Sequence, residues 1–96
     1  MRISAQAQAD LVQISDWIAE DDPDAAVRFV EALTAKAIEI GEMPLAFPLL
    51  TRRYGVDVRK RSYRRYLIFY TVTRSGVTVA RVVHGMRDLT SLFGIS

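Results

Sequence analysis

A chain of 96 residues, 50% hydrophobic and 25% charged, has the make-up of one ordinary globular domain with no room for a second core. The absence of cysteine rules out disulfides, thiolate metal sites and thiol catalysis, and fits a reducing compartment. No stretch approaches the roughly 20 apolar residues needed to span a bilayer, and Met1-Arg2-Ile3-Ser4-Ala5-Gln6 lacks the apolar core of a signal peptide, so a cytoplasmic protein without membrane attachment is expected.

Arg2-Ile3-Ser4 reads as a short strand. Ser4 suits a helix N-cap, and Ala7, Leu11, Ile14 and Ile18 then recur at helical steps, with Trp17 widening the stripe. Asp10, Gln13, Asp16 and Glu20 are expected on the opposite, solvent face, and the helix should end near Glu20. A second helix announces itself at Asp22, a capping carboxylate, followed by Pro23 at the first helical position and Asp24 in the first turn. Its stripe is Ala26, Phe29, Val30, Leu33, Ala37 and Ile40, and Gly41 with Pro44 should stop it. So short a connection makes the two helices an antiparallel hairpin.

Met43 to Gly55 reads as a loop pinned by Phe47 and Leu49. Three strands follow, over 56–62, 66–73 and 77–84, joined by turns near Tyr63–Arg65 and at Arg74-Ser75-Gly76. The middle strand is apolar on both faces and must be covered twice. The helix hairpin supplies one cover. The fold class is α+β: an N-terminal antiparallel helix hairpin packed on one face of a small twisted antiparallel sheet, with the short first strand at an edge. Residues 1–96 form a single domain, without repeats or linkers.

Charge is distributed unevenly around a net value of +2. Asp10, Asp16, Glu20, Asp21, Asp22 and Asp24 crowd the first quarter. Arg52, Arg53, Arg59, Lys60, Arg61, Arg64 and Arg65 place seven cations within fourteen residues. Such asymmetry suggests an acidic partner for the basic stretch, either nucleic acid or an acidic protein segment. The bland alternative is a solvated sheet edge guarded by cations. His84 is the one histidine, with no metal-ligand spacing around it, and neither a nucleophile elbow nor a phosphate loop occurs. No metal or cofactor is expected. A lone histidine at a strand end is more often structural; its alternative is acid–base work on RNA beside phosphate-holding arginines. Tyr54, Tyr63, Tyr66 and Tyr70 interleave with the cations and could stack bases. Tyr66 and Tyr70 read better as core residues of one strand face, while Tyr63 fits either role.

The order and spacing of several short motifs resemble the ParE/RelE superfamily of toxins from type II toxin–antitoxin systems, more closely the ParE side. They are Ala9-Asp10-Leu11 with Ile14 and Trp17, Pro23-Asp24-Ala25-Ala26 with Phe29, Pro44, Arg59, Tyr66-Leu67-Ile68-Phe69-Tyr70, and Val82-Val83-His84-Gly85-Met86-Arg87-Asp88. The resemblance implies growth arrest by a toxin that its cognate antitoxin neutralises in a hetero-oligomeric complex. ParE proteins poison DNA gyrase, whereas RelE relatives cut messenger RNA on the ribosome. The ribonucleases rely on an arginine early in the central strand, another just after the last strand, and commonly a tyrosine in the tail. Here those places hold Leu67, Arg87 and Phe93, so a gyrase-directed, non-enzymatic toxin is the implied reading. The alternatives are a RelE-like ribosome-dependent endoribonuclease using Arg87, His84 and Arg65, with Arg64 as a substitute, and a non-toxic binding domain. Antitoxin is expected on the bare sheet face and helix hairpin, at Arg59, Arg61, Arg64, Arg65 and Phe69. Target contact is expected at Arg87, Leu92 and Phe93, although Leu89, Leu92 and Phe93 could instead pack back on the domain. No direct DNA binding is expected without the antitoxin.

Overall fold

The computed structural model describes residues 1–85, in the order β1 (Arg2–Ile3), α1 (Ala5–Ala19), α2 (Pro23–Glu42), β2 (Leu49–Arg53), β3 (Val56–Tyr63), β4 (Tyr66–Thr73) and β5 (Gly76–His84). The Ser4 side chain caps α1 by accepting from the Ala7 amide at 3.0 Å. The same residue ties the helix start to β5, its amide donating to the Val79 carbonyl and its Oγ to the Ala80 carbonyl, both at 2.9 Å. Asp22 caps α2 through the Ala25 amide at 3.1 Å, with Pro23 next to it and Asp24 in the first turn. Gly41 does not stop this helix, which runs on to Glu42 and ends with Met43 as its C-cap. Proline geometry at Pro44 is the actual terminator, since it biases Met43 away from helical backbone. A Cβ on Gly41 would meet the Met1 Cβ at 3.2 Å, so the glycine makes room for the chain start.

The sheet order is β1-β5-β4-β3-β2. All pairings are antiparallel except β1 with β5, where Arg2 faces Thr78 and Ile3 faces Val79 in parallel. The sheet is therefore mixed, with β1 at one edge. At the other edge lies β2, which falls inside the stretch expected to be loop. Its hairpin with β3 turns through Tyr54 and Gly55 at φ 52° and 76°. Two left-handed residues between paired strands match the twist of a hairpin. The usual Asn-Gly signal is absent, because tyrosine stands first. Tyr54 is 94% exposed, so the strained backbone is not offset by burial. Tyr54→Asn is expected to raise stability by about 0.5–1 kcal/mol in denaturant melts, since asparagine tolerates this conformation better. A lower stability would show that the Arg53 guanidinium, 5.7 Å from the ring, matters more than the backbone.

The hairpin covers one face of the sheet with Ala7, Ile14, Phe29, Leu33, Ala37 and Ile40 against Ile68, Tyr70, Val79 and Val82. Val79 and Val82 both reach this core although three apart, because the β4–β5 register shifts between Phe69 and Tyr70 and leaves Ala80 as an extra residue. Trp17 does not widen the buried stripe of α1 as expected, being 56% exposed. Leu49, 42% exposed, does not pin the loop either. Phe47 and Tyr70 do that. Tyr70 is fully buried, donates its hydroxyl to the Pro44 carbonyl at 2.6 Å and meets the Phe47 ring edge-on at 6.5 Å. Tyr70→Phe is expected to cost about 1–2 kcal/mol by leaving the Pro44 carbonyl short of a donor. Thermal melts of the two proteins check this, and equal melting temperatures would contradict it.

Candidate functional site

The basic stretch does not form one free surface. Along β3, Asp57, Arg59, Arg61 and Tyr63 alternate onto the side of α2, while Val58, Lys60 and Ser62 face away. Arg59 is 8% exposed and its Nη1 donates to the Phe47 and Leu45 carbonyls at 2.7 and 3.3 Å. Its Nη2 reaches Asp57 at 3.1 Å, and its Nε finds no acceptor among the described residues. Arg52 grips the same carboxylate through Nε at 2.6 Å and Nη2 at 3.1 Å. Arg61 pairs with Glu39 at 2.8 Å, donates to the Lys36 carbonyl at 3.4 Å and lies 4.4 Å over the Phe47 ring. These three arginines hold the loop, β2 and α2 to β3. Arg53, Arg64 and Arg65 are exposed and Lys60 is half-buried. Tyr63 takes the core role, packing on the helix-facing cluster, and Arg64 and Lys36 approach its ring at 5.6 and 5.9 Å.

Hydrogen bonds from Arg52, and then from Arg59, lower the Asp57 carboxyl from 3.8 to about 2 despite partial burial. A depressed carboxylate binds fewer protons folded than unfolded in that window, so its stabilisation is complete above pH 3.8 and lost as pH falls through about 2. Acid titration of Asp57→Asn should therefore show a shallower loss of stability between those values than the natural chain. Identical slopes would contradict the pairing.

On the sheet face away from the helices, Lys60 neighbours Phe69, Ser62 neighbours Leu67, and Leu67 neighbours Val83. Phe69 and Val83 are 8% and 2% exposed yet stand outside the helix-facing cluster. Phe69, expected to meet the partner, is thus already covered. Two cations flank it across the ladders, Lys60 on β3 and Arg81 on β5.

His84 sits on the other side. It neighbours Tyr66 across the strands, and its ring stands edge-on to Tyr66 at 5.5 Å while Tyr66 tilts on Phe29 at 4.9 Å. Adjacent residues on a strand point to opposite faces, so His84 and Leu67 do not share a surface. Arg65 lies in the β3–β4 turn, where its carbonyl accepts from the Gly85 amide at 2.7 Å. Arg87, Leu92 and Phe93, the expected target contacts, and Leu89 lie outside the described residues.

Asp10, expected in solvent, is 6% exposed and accepts from Arg81 Nε at 2.9 Å and Nη2 at 3.2 Å, from the Val82 amide at 2.9 Å and from Gln6 at 3.2 Å. Burial pushes its carboxyl upward, but the bonds from Arg81, Val82 and Gln6 outweigh this and hold it below its ordinary value. The spacing carried the signal, for Asp10 is three residues after Ala7 and four before Ile14, both buried.

Among the described residues, no helix is long and apolar enough to cross a membrane, and no cluster of three metal-ligating side chains occurs. The family model for the ParE toxin of the type II toxin-antitoxin system, parDE, matches residues 1–89. No curated protein matches the chain.

Proposed function

The chain belongs to the ParE family, the toxin component of type II toxin–antitoxin systems, and from that premise we propose that it arrests growth by poisoning DNA gyrase in the cytoplasm until its cognate antitoxin binds. The observation that favours gyrase over messenger RNA is Leu67, an apolar side chain standing where the resemblance places a phosphate-holding arginine. Ribonuclease action needs proton-transferring and phosphate-holding groups converging on one scissile bond. Leu67 lies in the apolar row with Phe69 and Val83 on the face away from the helices and can hold no phosphate, while the His84 ring meets Tyr66 edge-on on the helix side. A toxin that binds its target needs no such convergence. It acts without a cofactor, forms a hetero-oligomer with the antitoxin, and leaves DNA binding to that partner.

For the antitoxin contact, the cations not engaged by carboxylates within the domain are the best candidates. Arg64 and Arg65 stand exposed at the β3–β4 turn, beside Tyr63, and an acidic segment would find them without breaking an ion pair among the described residues. Arg64→Glu with Arg65→Glu should weaken antitoxin binding at least about tenfold at low salt, with the gap closing as salt rises, while leaving the melting temperature near that of the natural chain. Growth assays give the cellular counterpart. Expression of the chain alone should stop growth, co-expression of the cognate antitoxin should restore it, and the double variant should escape rescue. Unimpaired growth during expression of the natural, folded chain would count against a functional toxin.

A further inference from the structure

The two edges of the sheet are finished differently. Beyond the two-residue β1, the outer rim of β5 is closed by α1: Ser4 takes the Val79 and Ala80 carbonyls, and Asp10 takes the Val82 amide. The opposite rim is β2, five residues long and exposed at every one. The tight turn at Tyr54-Gly55 makes Arg53 and Val56 the closing pair of the hairpin. Alternation along an antiparallel ladder then aims the main-chain N–H and C=O of Arg52 outward, at the open side. Nothing among the described residues pairs with that rim, and exposed edges of this kind are templates for another strand.

We infer that β2 is a docking edge for an extended, acidic and partly apolar segment of the antitoxin, which adds to the sheet as a further strand. This rests on the reading that an antitoxin silences the chain by direct binding. The side chains along the rim state the occupant's chemistry. Leu49 and Leu50 are 42% and 47% exposed, so apolar partners gain burial there. Arg53 is exposed, and Arg52, though gripped by Asp57, keeps 63% of its side chain in solvent, so carboxylates are favoured opposite them. A second copy of this chain would bring the same arginines edge to edge and be repelled. A nucleic acid would meet the cations but leave the leucines and the main-chain row unused. An added strand satisfies all three features at once, main-chain groups giving affinity and alternate side chains giving specificity.

The test compares hydrogen exchange in the free chain and in its purified complex with the cognate antitoxin, and measures binding by Leu50→Glu and Arg53→Glu, both exposed sites. The Arg52 amide should exchange at least tenfold more slowly in the complex, and each variant should bind at least tenfold more weakly with an unchanged melting temperature. If both variants bind normally and protection appears only outside β2, this inference fails while antitoxin silencing stands. If the natural chain does not bind the antitoxin at all, both fail. Protection of β2 in concentrated free chain, without antitoxin, would overturn the choice of occupant in favour of a second copy.

Discussion

Replacing Asp10 by alanine is expected to lower the unfolding free energy by about 2–4 kcal/mol, a large share of what a domain of this size possesses. The carboxylate satisfies a guanidinium and a buried amide together, at 2.9 Å each from Arg81 Nε and Val82 N. Removal takes this carboxylate from both, and the buried Val82 amide lies where water replaces it poorly. The lower end of the range allows for Arg81, whose side chain is 34% exposed and keeps some hydration. Asp10→Asn should recover part of the loss, since an amide oxygen still accepts from Val82. Asp16→Ala is the control: exposed on the same helix, it should stay within about 0.5 kcal/mol of the natural chain. Equal effects at the two positions would refute the buried role of Asp10.

Arg59→Ala is expected to be nearly as damaging, at about 2–4 kcal/mol, because it takes the buried donor from the Phe47 carbonyl and leaves Asp57 held by the exposed Arg52 alone among the described residues. The loop before β2 should loosen first, which hydrogen exchange at residues 44–49 would register. Any loss of antitoxin binding in this variant should accompany the fall in stability. Arg64→Ala should do the reverse, weakening binding with stability intact. A stable Arg59→Ala chain that no longer binds would instead make Arg59 a direct contact.

How far the sequence could be read depended on whether a feature was local. The caps at Ser4 and Asp22, the helix period and the three strands over 56–84 are set by residues close in the chain, and they lie where the pattern places them. What was hidden depends on distant partners. Asp10 meets Arg81 seventy-one residues away, so its charge suggested solvent although its spacing suggested the core. The cations of β3 looked like one surface because their acceptors, Glu39 and the Leu45 and Phe47 carbonyls, come from other segments. Asp57 within the basic run was the available hint. Strand β2 escaped because Leu49-Leu50-Thr51-Arg52-Arg53 shows no alternation and its turn begins with tyrosine. The family's target side was legible only through resemblance, and Arg87, Leu92 and Phe93 fall outside the described residues.

Gyrase poisoning is tested most directly by adding the purified chain to the enzyme, DNA and ATP, beside a ribosome-dependent messenger cleavage assay on the same preparation. Supercoiling is expected to fall with dose, broken DNA to accumulate on gyrase, the antitoxin to prevent both when added first, and messenger to stay intact. Unaffected gyrase, together with messenger cleavage lost in His84→Ala or Arg87→Ala, would contradict gyrase poisoning.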